Sequence, residues 1–188
     1  MKKTVDTSSP LAAGEAGRWM QSAPWMIAIV VLALDRITKM WVIENLQIGS
    51  FTPLLPGVAL THVHNRGIAF SLFAEGGPFS RVVLHAVILT AVVLIAWMLV
   101  RQPNQRRSAK LAFGMILGGA LGNLTDRILY GWVVDFIHLW LRTGRGTWSW
   151  PDFNVADSAI TTGAILLVLS ELWPAKTAEG VIDAPNPD

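Results

Sequence analysis

Cysteine is absent from the 188 residues. That removes a disulfide framework, a thiol nucleophile and a thiolate metal site in one step. Charge is scarce too: 15% of residues are Asp, Glu, Lys or Arg, against about a quarter in an ordinary soluble domain. The formal net charge of +2 is too small, and the basic residues too scattered outside one short loop, to mark a nucleic-acid partner. A single tyrosine accompanies nine tryptophans. What the chain holds in quantity is apolar side chains, 52% of it, gathered in long blocks rather than alternating patterns. A bilayer is the natural solvent for such blocks, and tryptophan collects at its interfaces.

Four spans are expected. The first starts at Trp25 and runs apolar to Leu34; after Asp35, Arg36 and Lys39 it turns apolar again through Trp41 to Ile43. No small-x-small cleavage site follows the first run, so it reads as an uncleaved spanning helix with a polar outer half. Val82 to Val100, flanked by Arg81 and Arg101, matches the hydrocarbon thickness. The third span, from about Ala109 to Leu124, carries Gly114, Gly118, Gly119 and Gly122, a spacing that lets helix backbones approach closely. The fourth runs from about Val155 to Trp173. Residues 24–173 thus form the membrane unit, between a poorly ordered tail 1–23 and a polar tail 174–188.

Arg101, Arg106, Arg107 and Lys110 stand together with no acid among them, and the N-terminal tail adds Lys2, Lys3 and Arg18. The positive-inside rule makes both termini cytoplasmic. Trp25, Trp97 and Trp173 then fall near the inner interface and Trp41 near the outer one. The connections 46–80 and 125–154 face outward. In the first, Val58 to His64 alternates as a short strand does. In the second, Trp132, Trp140, Trp148 and Trp150 stand among Val, Phe, Ile and Leu, as in an amphipathic segment lying in the outer interface.

Polar residues in or at the mouths of spans are costly, and so informative. Five clusters map to the outer half: Asp35 to Lys39, Asn65 to Phe70, Gly122 to Arg127, Val134 to Phe136, and Phe153 to Asp157. Asp135 lies among apolar neighbours, and Asp157 in the first turn of the last span, where a helix dipole favours a carboxylate. If the two meet, they cannot both ionise cheaply and share one proton. One then serves as general base on water and the other as general acid, a scheme that needs neither metal nor cofactor.

Each candidate also has an ordinary structural explanation. Asp157 suits a plain helix N-terminus, and Asp126 with Arg127 a buried ion pair or network. Asp35 and Lys39, four apart, suit an intrahelical pair. Asn123 and Asn154, each three positions before an aspartate, suit caps or orienting groups, and Gly67 an unusual dihedral or close approach. His62, His64, His85 and His138 fall in no metal-ligand spacing.

Taken together, in this order and on the outer ends of four spans, the clusters resemble the lipoprotein signal peptidases, the type II signal peptidases of bacteria. The pair Gly122-Asn-Leu-Thr-Asp-Arg127 and Phe153-Asn-Val-Ala-Asp157 makes the combination specific. The resemblance spans about Trp25 to Glu171. It implies an all-α protein of the inner membrane, four transmembrane helices with a small extracytoplasmic β element and an interfacial helix. It implies catalytic aspartates at Asp135 and Asp157, with Asp35, Asn65, Gly67, Asn123, Asp126, Arg127 and Asn154 in support; Lys39, as the partner of Asp35, joins them. The substrates it implies are diacylglyceryl prolipoproteins cut ahead of the lipidated cysteine, and the inhibitor is the cyclic peptide globomycin. Membrane lipids are the other expected partners, and a monomer the expected state. An ion-coupled carrier would want polar groups near the midplane; a packing scaffold would need the glycines and ion pairs alone.

Overall fold

The computed structural model describes residues 10–67, 78–101 and 106–172. Four helices alternate with two hairpins in the order α1 (Pro10–Asn45), β1 (Phe51–Leu55), β2 (Val58–Asn65), α2 (Pro78–Arg101), α3 (Arg107–Tyr130), β3 (Val133–Thr143), β4 (Gly146–Ser149) and α4 (Val155–Leu172). The expected placements of Trp173, of residues 68–70 and of the tail 174–188 lie outside the described residues.

Helix α3 is the axis of the bundle, packed against α1 on one side and α4 on the other. Its glycines make that possible. A Cβ at Gly118 would sit 2.6 Å from the carbonyl oxygen of Ala28 in α1, and one at Gly119 would sit 2.5 Å from that of Ala156 in α4. Gly114 meets the Pro24 backbone in the same way. Backbones thus touch where side chains would hold them apart. Helix α2 packs on α3.

Two of the helices, Val82–Arg101 with mean hydropathy 2.7 and Val155–Leu172 with 1.5, are long and apolar enough to cross a membrane. Apolar exposure is not confined to them. Ile29, Leu34 and Ile37 of α1 are more than half exposed, like Val82, Val93 and Leu94 of α2 and Ile165 and Leu169 of α4. Lys39, Asp35 and Asp126, by contrast, have no exposed surface. Beside an apolar core around Phe113 and Leu117, the bundle thus seals a charged cluster inside while exposing large apolar side chains, the placement a protein folded in water avoids.

The four strands form one antiparallel sheet in chain order. Pro56 and Gly57 close the first hairpin, Gly57 at φ 86, the residue pair a type II turn favours. Between Leu60 and Val63, β2 spends one residue more than β3 does between Ile137 and Asp135. This bulge re-aims the end of β2. Gly131, at φ 80, stops α3 by donating its N–H to the Arg127 carbonyl and turns the chain into β3.

Three expectations need correction. The strand expected at Val58–His64 is present, but it belongs to a four-stranded sheet, so the fold is helix-rich rather than all-α. No interfacial helix occurs among the described residues of the second connection. Val133 to Thr143 is rich in β-branched and aromatic residues, which favour a strand, and Gly144-Arg145 closes a hairpin onto β4. The apolar residues lie on a hairpin instead: Leu141 pairs with Trp148, and both are more than half exposed. Last, the tail expected to extend to Ala23 is helical from Pro10 onward. Pro10 is well suited to a first helical position, and Leu11-Ala12-Ala13 begin a stretch of good helix formers.

Candidate active site

The C-terminal ends of α1 and α3 and the start of α4 meet the sheet where β2 ends and β3 begins, and the polar clusters converge there. Asp135 sits on β3 opposite Val63 and is 1% exposed. Each of its oxygens accepts an amide hydrogen: Oδ2 from Asn65 Nδ2 at 2.9 Å and Oδ1 from Asn154 Nδ2 at 2.7 Å. Asn65 is the last residue of β2, beyond the bulge, and its own Oδ1 receives the Gly67 N–H.

Asn154 does two jobs. Its Oδ1 accepts the Asp157 N–H at 2.9 Å, the side-chain cap that starts α4, while its amide holds Asp135. Asp157, half-buried in that first turn, accepts a hydrogen bond from Asn123 Nδ2 at 2.7 Å. The loop before Asn154 is pinned to the sheet by the Phe153 backbone, which exchanges hydrogen bonds with Ile137. Asp152 Oδ1 accepts from the Thr61 hydroxyl at 2.6 Å and from His138 Nδ1 at 3.2 Å.

Behind the two carboxylates runs a buried ion network. Lys39 Nζ lies 2.8 Å from Asp35, 3.0 Å from Asp126 and 2.9 Å from the Asn123 oxygen. Arg36 bonds Asp126 at 2.7 Å and the Tyr130 hydroxyl at 2.6 Å. Asp35 also accepts the Ala156 N–H at 2.9 Å, tying α1 to the start of α4. Gly122 admits it, since a Cβ there would meet the Asp35 carboxylate. Arg127 turns the other way, donating to the carbonyls of Gly67 at 2.7 Å and Asn123 at 3.2 Å.

Thus the structure brings together every residue that the sequence singled out for the site. Asp126 and Arg127 do share a network, but not as a pair: adjacent helical residues point apart, so Asp126 takes Arg36 and Lys39 instead. Asn123 orients Asp157 on the neighbouring helix rather than its own-helix neighbour Asp126. Sequence reasoning missed Arg36, Tyr130 and the Thr61–Asp152–His138 clamp. The cue for Arg36 was available, because it stands in the polar cluster Asp35 to Lys39, and a guanidinium set within a span is costly without a partner. Among the described residues, no three metal-ligating side chains cluster.

Burial pushes the Asp135 carboxyl up to about 7, and the negative charge of Asp157 pushes the same way; the amides of Asn65 and Asn154 pull it down. The local charge count agrees. Four carboxylates (Asp35, Asp126, Asp135, Asp157) face three cations (Lys39, Arg36, Arg127). One proton on a carboxyl makes the cluster neutral, which an apolar setting demands. A carboxyl that keeps its proton to about pH 7 beside a second carboxyl, both accepting from amide donors, can pass a proton in each direction.

The same architecture occurs in a solved bacterial membrane enzyme, 27% identical, with a TM-score of 0.69 over 80% of this chain and 88% of that one. A second bacterial membrane enzyme gives 0.70 at 26% identity, over 82% and 95%. Fold and site therefore define the class, a bacterial membrane enzyme. The chain belongs to the signal peptidase II family, a family of peptide-bond hydrolases, whose pattern its residues 27–173 match. The lipoprotein signal peptidase of Burkholderia mallei is 42% identical over 80% of this chain and 88% of its own. That of Paraburkholderia phymatum is 43% identical over the same shares.

Proposed function

We propose that this protein is an aspartyl endopeptidase of the bacterial inner membrane that removes signal peptides from diacylglyceryl prolipoproteins, cleaving ahead of the lipidated cysteine. The names of its relatives supply the substrate class. The observation that supports the mechanism is Asn154, whose amide donates to Asp135 Oδ1 and whose Oδ1 accepts the Asp157 N–H, beside an Asp135 carboxyl pushed up to about 7 by burial and by the charge of Asp157. Asp135 in its acid form donates toward the scissile carbonyl, while Asp157 takes a proton from the attacking water. The proton then returns to the leaving amine from the pair, which titrates as a unit.

Four membrane crossings, with both termini cytoplasmic, suit this chemistry. The exposed apolar surface of α1, α2 and α4 and the sealed charges between them support that reading. The carboxylates then lie near the outer face, within reach of a bond anchored to a lipid in the outer leaflet. Globomycin would compete there with substrate.

The test is purified protein with a diacylglyceryl-modified prolipoprotein, followed by gel shift. Asp135→Asn and Asp157→Asn are each expected to lower cleavage by at least about 10³-fold while the protein remains folded, because paired catalytic groups act as one unit. Full activity in either variant would refute the assignment.

A further inference from the structure

Between the end of β4 at Ser149 and the start of α4 at Val155, residues 150–154 belong to no helix or strand. The last of them, Asn154, holds Asp135 and caps the turn that carries Asp157. The path of this segment therefore sets where both carboxylates stand. Its main chain is fastened at two points, by the Trp150 N–H on the Leu139 carbonyl at 2.9 Å and by Phe153 on Ile137. Between them Pro151 has no N–H to offer, and the Asp152 side chain makes a third attachment. Both of its bonds land on one atom: Oδ1 accepts from Thr61 on β2 and from His138 on β3. Neither partner is loose. Thr61 is 5% exposed and stands in the bulge of β2. The His138 ring is edge-on to Phe51 at 5.5 Å and lies 6.0 Å from Trp140. Strands β2 and β3 also carry Asn65 and Asp135. One oxygen thus ties the segment that leads to Asp157 to the two strands that hold the other carboxylate.

We propose that Asp152 is a positioning residue for cleavage: through Thr61 and His138 it fixes Asn154 against the sheet, and with it the placing of Asp157 relative to Asp135. It acts through Asn154 and not on the reacting atoms. The inference rests on the reading of Asp135 and Asp157 as the catalytic pair. What it adds is a requirement at position 152 for an acceptor oxygen rather than a charge, because a single oxygen receives both bonds.

The experiment measures kcat and KM for a diacylglyceryl prolipoprotein with purified full-length protein in detergent. Asp152→Ala is expected to lower kcat about 10- to 100-fold, the cost of a misplacement of about 1 Å remote from the chemistry. KM should stay within about twofold, because no substrate contact is lost. Asp152→Asn keeps an acceptor oxygen for Thr61 and His138 and is expected to bring kcat back to within about threefold of the wild type. Thr61→Val removes one of the two bonds with little change in shape and is expected to lower kcat about fivefold. Added to Asp152→Ala it should cost nothing more, since the two residues share one interaction. A wild-type kcat in Asp152→Ala, or a raised KM with kcat unchanged, would overturn the proposal. So would an Asp152→Asn variant as slow as Asp152→Ala. If Asp152→Ala does not fold, Thr61→Val carries the test, and a wild-type kcat there is equally fatal. Asp135→Asn and Asp157→Asn, assayed alongside, separate the two readings. Inactive dyad variants with a fully active Asp152→Ala count against this inference alone, and active dyad variants count against the catalytic pair itself.

Discussion

Replacing Asp135 by asparagine should remove activity and, above neutral pH, make the protein more stable. Unfolded, this carboxyl releases its proton near 3.8; folded, it keeps it to about 7. Between those values the native state binds the extra proton, so the stability of the wild type falls as pH rises through the window and levels off above it. The full difference is about 4 kcal/mol, at about 1.4 kcal/mol per pKa unit. Asparagine carries no such penalty, but it pairs less well. Asn65 and Asn154 each aim an amide hydrogen at one Asp135 oxygen; an asparagine offers one acceptor, so one donor is mismatched at every pH, a cost of about 1–3 kcal/mol. Asp135→Asn is thus expected to exceed the wild type by about 1–3 kcal/mol at pH 8 and to fall below it by a similar amount at pH 4. Tryptophan-fluorescence melting in detergent reads this directly, at about 2–4 °C per kcal/mol for a chain of this size. A melting difference that is the same at pH 4 and pH 8 would show that Asp135 carries no burial penalty, and the proton-sharing argument would fail with it.

Lys39→Met leaves Asp35 and Asp126 buried with a cation removed from between them. A loss of about 3–5 kcal/mol is expected, seen as collapsed yield of monodisperse protein, and a normal yield would contradict the network. Gly118→Val should lower the melting temperature, because even its Cβ must displace the Ala28 carbonyl, an overpacking cost of about 1–3 kcal/mol; unchanged melting would mean that α1 and α3 are not so close. In Asn65→Ala, Asp135 loses a hydrogen bond that favours its charged form, so the limb of the cleavage–pH profile governed by this group should move to higher pH. An unmoved limb would dissociate Asn65 from the carboxyl.

Much of this site was legible because membrane physics makes polar residues conspicuous. In a span, Asp35, Lys39, Asn123 and Asp126 had few explanations, and the glycines of α3 announced close backbone approach by spacing alone. What could not be read was pairing across elements. Nothing in the sequence ties Arg36 to an aspartate 90 positions later, or says that Asn123 serves the carboxylate of a neighbouring helix. The Trp-rich connection misled for a different reason. Leu139, Leu141, Trp148 and Trp150 come onto one face only once the hairpin is known, but read by composition they suggest any amphipathic element. The start of α1 was missed because Gly14, Gly17 and Ser22 resemble a linker, while the Ala, Leu, Glu and Met between them sustain a helix.

One asparagine side chain both closes the first turn of α4 and grips Asp135. The start of α4 therefore delivers Asp157, supplies the amide that steadies Asp135 and completes its own fold in a single act. A chain that stops short of Asn154 lacks both Asp157 and one of the two amides that hold Asp135.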